Sequence, residues 1–433
     1  MNFLNLLLAA IIVYIPYQQH FPLVLDLKGL NLINMLFISV VLIVAAQDSV
    51  RKSPAPLKWH FMFFFFALTV SLMIGQVYDS SQMASDATAL KTDIFYMLFY
   101  FLYYHAARDV RSIRFLFGVV LLVALLVSFH AIRQALDYGT VVYSDTRRAS
   151  GPFAPDYRGA NVAAAFFIIF VPMFFSVFLL YKSKPLYRMI ALACSVVGIM
   201  AAFFTFSRQA YFILAALFFL QATRRNILLG ILLGIVVLSY EAWAPSTVIE
   251  RISMTEETDA KGEQKLDKST ESRFIIWEGA KQLIIERPWG IGLSHFPREI
   301  GRYVSDYENF DAHNGYVLVT TETGFLGLFA LLLLFWGLLR LGFRVTKLDA
   351  SEESQLFGYT FVVAVIGAAL TNLFGSRIFN GEVMGNFWIF AGLVARYYTL
   401  TLEQRQTLSE AGIPSLNSPC KFVRDGRSTI DLI

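Results

Sequence analysis

Twelve apolar runs, most of them close to 20 residues long, constrain this chain more than any other feature. They lie near 3–17, 30–47, 59–76, 92–107, 115–136, 160–181, 187–206, 210–223, 227–243, 316–341, 357–374 and 382–400. At 1.5 Å per residue, a helix of roughly 20 residues matches a hydrocarbon core about 30 Å thick. Lipid offers no partner to an open backbone group, so a spanning segment must satisfy its own as a helix. Hydrophobic residues make up 56% of the chain and charged residues 16%, whereas soluble domains carry roughly a quarter charged. A soluble globular class is excluded. The sequence predicts an all-α polytopic membrane protein with about twelve transmembrane helices.

Of the two cysteines, Cys194 lies in an apolar run and Cys420 in the C-terminal tail, so no disulfide framework is indicated. The first run, MNFLNLLLAAIIVYIPY, has no charged leader and no small-residue cleavage site; it is expected to be a retained span. Alternate connections are basic: Arg51, Lys52 and Lys58; Arg108, Arg111 and Arg114; Lys182, Lys184 and Arg188; Arg224 and Arg225; Arg340, Arg344 and Lys347. Residues 18–29 and 77–91, between them, hold one lysine each. The positive-inside rule then sets the basic loops and both termini in the cytoplasm. Four regions follow: spans one to nine over 1–243, a large periplasmic segment over 244–315, spans ten to twelve over 316–400, and a polar cytoplasmic tail over 401–433.

This orientation leaves arginines outside that topology does not require: Arg147, Arg148 and Arg158, then Arg208, then Arg273, Arg287, Arg298 and Arg302, then Arg377. Arg208 is the most telling. A reversal at Ser207-Arg208-Gln209 leaves only about 14 residues, roughly 21 Å of helix, before Arg224. Arg208 then sits at the outer boundary and at a helix start, whose free N–H groups favour an anion. A guanidinium fork there suits a phosphate or a lipid-linked pyrophosphate; snorkelling to ordinary phospholipid is the plainer alternative.

In the outer segment, SRFIIWEGAKQLIIE reads as an amphipathic helix at the membrane surface. Ile275, Ile276, Gly279, Ala280, Leu283 and Ile284 form its apolar face, and Glu278, Lys281, Gln282 and Glu286 its polar one. Ser269 or Thr270 can cap it and Pro288 ends it. Arg273 falls in its first turn, with Trp277 one turn on. His295 lies in the glycine-rich turn that follows. His313 and Asn314 stand at the entry to the tenth span, which at 314–339 would make about 39 Å of helix and is expected to bend near Thr321–Gly324. A lone histidine is commonly structural, but one in an aqueous cavity there can accept a proton at neutral pH. Glu322, deeper, is expected to pair with a neighbouring helix or backbone.

The segments TFSRQAYFILAAL, SRFIIWEGAKQLIIERPWGIGLSHF and AHNGYVLVTTETGFLGL, in that order and spacing, resemble the bacterial O-antigen ligase-like superfamily of ligases, polysaccharide polymerases and protein-modifying transferases. The resemblance covers roughly 140–345; RRASGPFAPDYRGANVAAAF is also similar, with Asp156-Tyr157-Arg158 a local departure. It implies a GT-C-like fold and a metal-independent, inverting glycosyltransferase without a cofactor. It also implies a bacterial inner-membrane protein with a periplasmic active site, whose partners are membrane lipids rather than nucleic acid. The donor would be an undecaprenyl-pyrophosphate-linked glycan and the acceptor a hydroxyl of lipid A-core or of another glycan. On this reading His313 is the general base, and Arg208 and Arg273 hold the pyrophosphate. Arg147, Arg148, Arg158, Asn314 and Trp277 are further substrate-binding candidates. Ligase is the first expectation, polymerase the second, and a lipid-linked sugar transporter the third; charges gathered at one face, without two related halves, speak against transport.

Overall fold

The structure is a computed structural model that describes residues 2–21, 31–46, 53–139, 143–253, 256–258, 264–266 and 268–410. Arg51, Lys52, Cys420 and most of the C-terminal tail lie outside the described residues. Fifteen helices are formed within them: α1 (Phe3–Tyr17), α2 (Leu32–Ala45), α3 (Lys58–Tyr78), α4 (Met83–Ala106), α5 (Val110–Tyr138), α6 (Ala160–Leu180), α7 (Pro185–Phe204), α8 (Arg208–Arg225), α9 (Ile227–Leu238), α10 (Ser246–Ser253), α11 (Lys268–Glu286), α12 (Phe296–Glu299), α13 (Gly315–Thr346), α14 (Glu352–Thr371) and α15 (Gly381–Glu410). A short antiparallel ladder pairs Glu256–Thr258 with Gln264–Leu266.

Each of the twelve apolar runs falls on a helix. Among the described residues, six helical stretches are long and apolar enough to cross a membrane by length and composition: Lys58–Tyr78, Val110–Tyr138, Tyr157–Leu180, Pro185–Phe204, Gly315–Thr346 and Glu352–Thr371. Helices α1, α2 and α9 are apolar but shorter. The protein is a polytopic, helical membrane protein. Helix α6 is apolar on every face and nearly every one of its side chains is buried, as a helix at the centre of a bundle must be. It packs against α7, α8 and α14, while α15 lies along α4.

Helix α13 bends where its length predicts. Gly324 (φ 66°, ψ −172°) interrupts it, and the chain just before α12 repairs the broken ladder. In an unbroken helix the Phe325 N–H would donate to Thr321 O and the Leu326 N–H to Glu322 O. Here Phe325 N donates to Pro288 O at 3.4 Å, Ile291 N to Thr321 O at 3.0 Å and Gly292 N to Glu322 O at 3.0 Å. Ser71 Oγ of α3 adds a second bond to Glu322 O at 2.8 Å. The exchange needs backbone at van der Waals distance: a Cβ on Gly290 (φ 104°) would lie 2.4 Å from Glu322 O, and one on Gly324 would lie 2.5 Å from Trp289 C.

The loop so anchored carries a small second core. Ile276, Ala280 and Leu283 of α11 pack on Ile291, Phe296, Ile300 and Ala312. The apolar face of α11 is therefore covered by the chain's own 291–312 segment, and Ile275, expected on that face, is 38% exposed instead. Ile275 sits at the edge of the stripe, where the covering segment does not reach. Gly290→Ala should lower unfolding stability by about 2–5 kcal/mol, the sum of a left-handed residue and an overpacked contact. Gly118→Ala, with nothing within 4 Å of the added Cβ, should leave it unchanged or slightly higher. Thermal unfolding in detergent checks this, and equal midpoints for the two variants would contradict it.

Candidate active site

The site is built around the N-terminus of α13. Asn314, in an extended conformation, caps the helix: its Oδ1 accepts from Tyr316 N at 2.9 Å and Val317 N at 3.2 Å. A cap of this kind satisfies orphan N–H groups and fixes where the helix begins. His313, the residue before it, has φ 50°, so the chain turns sharply into the cap. The His313 N–H donates to Asp311 Oδ2 at 3.2 Å, and His313 Nδ1 lies 3.5 Å from the same oxygen.

Two clamps hold this corner. On one side the Trp277 indole N–H of α11 donates to Ala312 O at 2.8 Å. On the other, Gly315 N donates to Asn372 O at 2.7 Å. Asn372, fully buried at the end of α14, also accepts from Arg377 N at 3.0 Å and Ile378 N at 2.8 Å through Oδ1. Its own amide donates to Ala368 O at 2.8 Å. A Cβ on Gly315 would sit 2.4 Å from Asn372 Oδ1, so the Asn-Gly step is what lets the two segments meet. The loop bearing Arg377 is thereby locked beside His313.

The electrostatics follow from this placement. The His313 side chain is 37% exposed. Burial holds its pKa below the ordinary histidine value; Asp311 pulls it up, and the Arg273 and Arg377 charges push it further down. The imidazole is consequently neutral at pH 7, and a neutral imidazole can take a proton. With Nδ1 toward Asp311, Nε2 is the nitrogen left for a substrate. Burial also depresses Arg377, against the pull of Asp311 and with the push of Arg273, but an arginine keeps its charge. Arg377 Nε is buried with no hydrogen-bond partner among the described residues. A donor in that condition is costly unless something else fills the role of acceptor.

Arg208 is the first residue of α8, and its Nη2 lies 3.5 Å from Thr270 Oγ1 of α11. Thr270 precedes Arg273 by three residues on the same helix, so the starts of α8 and α11 are brought together. The turn before Arg208 is braced by Arg148, whose Nε donates to Thr205 O at 2.9 Å and Nη2 to Asn161 Oδ1 at 2.8 Å. Ser207 Oγ shares Asn161 Oδ1 at 3.0 Å. From behind, Arg251 lies 4.9 Å over the Tyr143 ring and donates to Phe206 O at 3.4 Å.

The sequence-derived candidates thus separate. Arg208, Arg273 and His313 stand on the elements that converge. Arg148, Asn314 and Trp277 spend the polar groups just named on backbone and neighbouring side chains; they position the site. Arg147 is exposed, and Arg158 is exposed and ion-paired to Asp156 at 2.6 Å. Glu322 takes the backbone-pairing role expected of it, its Oε1 accepting from Phe296 N at 3.1 Å. His295 is buried with its Nε2 3.1 Å from Asp86 Oδ2, a structural pair.

Sequence reasoning passed over Asp311 and Asn372, and gave Arg377 no role. A signal for two of them exists: Asp311 stands two residues before His313, and Arg377 is a charge in a short outer loop that orientation does not need. Nothing in the sequence marks Asn372 for the site, because the partner that ties it there, Gly315, lies far away along the chain.

Residues 193–332 match the family model described as O-antigen ligase. Through this stretch, about a third of the chain, it is similar to the O-antigen ligase family. The matched O-antigen ligase region contains Arg208, Arg273, Trp277, Asp311, His313 and Asn314 and ends before Asn372 and Arg377. Members of the superfamily are membrane enzymes of glycosyltransferase type, of the ligase or polymerase kind. No curated protein matches the chain.

If the neutral imidazole is the working form, activity falls as pH drops through the depressed His313 pKa, so the acid limb lies below pH 6.5. Asp311→Asn removes the upward pull and should move that limb to lower pH. Arg377→Gln removes a downward push and should move it to higher pH. Rate–pH profiles of the two variants check this; limbs that coincide with wild type would contradict it.

Proposed function

We propose that this protein transfers a glycan from a polyprenyl pyrophosphate carrier, undecaprenyl pyrophosphate in bacteria, to an acceptor hydroxyl on the outer side of the inner membrane. The observation that carries the proposal is the His313 corner, held at the start of α13 by Asp311, Trp277 and the Asn314 cap, with the charges of Arg273 and Arg377 acting on the ring. The pairing of a base with a cationic cluster suits a reaction in which a hydroxyl loses its proton while an anionic leaving group departs. The acceptor O–H proton passes to His313 Nε2 as the oxygen attacks the anomeric carbon. The bond from that carbon to the phosphate oxygen breaks, and its electron pair stays on the pyrophosphate. Arg208, Arg273 and Arg377 stabilise the developing charge with donors already in place. A single displacement of this kind inverts the anomeric centre.

We infer with it a twelve-span, GT-C-like arrangement with both termini in the cytoplasm. Each basic connection then faces the cytoplasm, and the converging ends of α8, α11 and α13 face outward, where a lipid-linked glycan awaits an acceptor. Among the reactions of that family we assign the chain to ligation of finished polysaccharide to lipid A-core, on the strength of its His-Asn corner. Polymerisation, in which a second lipid-linked repeat is the acceptor, uses the same residues. The surface lipopolysaccharide of a deletion strain separates the two. Loss of ligation leaves bare core, loss of polymerisation leaves core with one repeat, and restoring the gene reverses either. An unchanged profile would overturn the ligase assignment. Arg208→Ala and Arg273→Ala, expressed at wild-type level in that strain, should each lower transfer by about 100-fold or more; full complementation by both would contradict their role.

A further inference from the structure

A cavity of about 540 Å³ opens at the far end of α5, lined by Phe129, His130, Arg133, Gln134, Asp137, Tyr138 and Pro155. None of these residues takes part in the chemistry above. Helix α5 has 29 residues, about 43 Å, against a core near 30 Å. Counted from Arg114, which is ion-paired to Glu353 at the other end, about 20 residues fill the hydrocarbon. Arg133 to Tyr138 then rise to the outer boundary, the side on which the proposed transfer takes place.

The lining is of one kind. Flat faces come from the imidazole of His130, the phenol of Tyr138 and the ring of Pro155. The His130 ring is itself held in place, 5.1 Å from His20 edge-on and 5.9 Å from Tyr17 in a stack. Among the flat faces stand a guanidinium and a carboxylate, while the Gln134 amide is spent on Tyr138, Ser150 and Gly151. Arg133 and Asp137 are four residues apart on one helix face, and both are exposed. Their opposite charges cancel, so the cavity has no excess attraction for an anion, in contrast to the arginine cluster around His313. Donors, acceptors and ring faces in a charge-balanced cleft match a neutral sugar, whose hydroxyls both donate and accept and whose C–H face lies on aromatic rings.

The cavity is also coupled to the reacting end by built structure. Gln134 Oε1 accepts from Ser150 N at 2.8 Å and Gly151 N at 2.9 Å. This fixes the loop whose Arg148 braces the turn before Arg208. A sugar bound at α5 is thus read on the same loop that positions the pyrophosphate arginine.

We propose that this cleft is a saccharide subsite that holds a neutral residue of the glycan away from the reacting bond. The inference rests on the glycosyl-transfer reading and adds a substrate contact to it. Two glycans have the required chemistry: the core oligosaccharide of the acceptor and the polysaccharide of the donor. Saturation-transfer NMR on the purified full chain in nanodiscs, with delipidated core oligosaccharide and released polysaccharide as separate probes, tests it without relying on turnover. One of the two should bind, and Arg133→Ala/Asp137→Ala should weaken it by about tenfold, the effect of losing two hydrogen-bonding groups. His313→Ala should leave that binding unchanged. Equal binding by wild type and the double variant, or binding of neither probe, overturns the subsite. So does loss of co-purified phospholipid without loss of glycan binding, which would give the cleft to a headgroup. Because His313→Ala reports on transfer and the double variant on binding, failure of one reading is distinguishable from failure of the other.

Discussion

The exchange of hydrogen bonds at Gly324 is the constraint on which the rest of the site depends. A helix that ran straight from Gly315 to Thr346 would carry its first turns along one axis and leave the 288–292 loop without partners. Because Gly324 opens the ladder, Thr321 O and Glu322 O become acceptors for Ile291 and Gly292, and Pro288 O receives Phe325 N. Backbone groups remain paired in surroundings where unpaired ones are expensive. The upper half of α13 is bound to the loop rather than to its own lower half alone. Through that loop it is joined to the small core of α11.

That arrangement holds His313 rigid, as the proposed role of base requires. Trp277 holds Ala312, the residue before it, and Asn372 holds Gly315, two residues after it, while Asn314 fixes the start of the helix. With the backbone so restrained, the imbalance of charge around the ring sets its protonation. One carboxylate raises its proton affinity, while two guanidiniums and burial lower it. The same two arginines serve the proposed leaving group, so base and anion site are tuned together. Removing either arginine would weaken the anion site and also alter the base.

Much of this was legible from residues. The apolar runs appear as helices because spanning length and apolarity are local properties, and each of the twelve falls on one. The bend of α13 followed from a length near 39 Å, too great for one crossing, and Pro288 ended α11 as expected. What was illegible is tertiary. Arg148 reads as a spare outer cation until Thr205 O and Asn161 are seen to occupy it. Trp277 reads as a substrate-binding candidate, and its N–H bond to Ala312 O, which fixes the corner, is not foreshadowed by the sequence. Asn372, at the end of α14, reaches Gly315, and Arg377, just after it, brings its charge near His313, only in the folded bundle. The covering of the α11 face by residues 291–312 was likewise hidden, since an amphipathic stripe does not say what lies against it.

The most direct test of the central claim is the single-turnover transfer rate of purified wild-type and His313→Ala protein. Both would be reconstituted in vesicles with lipid-linked glycan and acceptor as the only substrates. The variant should keep the wild-type unfolding midpoint and transfer at least about 100-fold more slowly, the usual contribution of a positioned base. Transfer at the wild-type rate by a correctly folded His313→Ala protein would show that the imbalance of charge around His313 serves something other than proton removal.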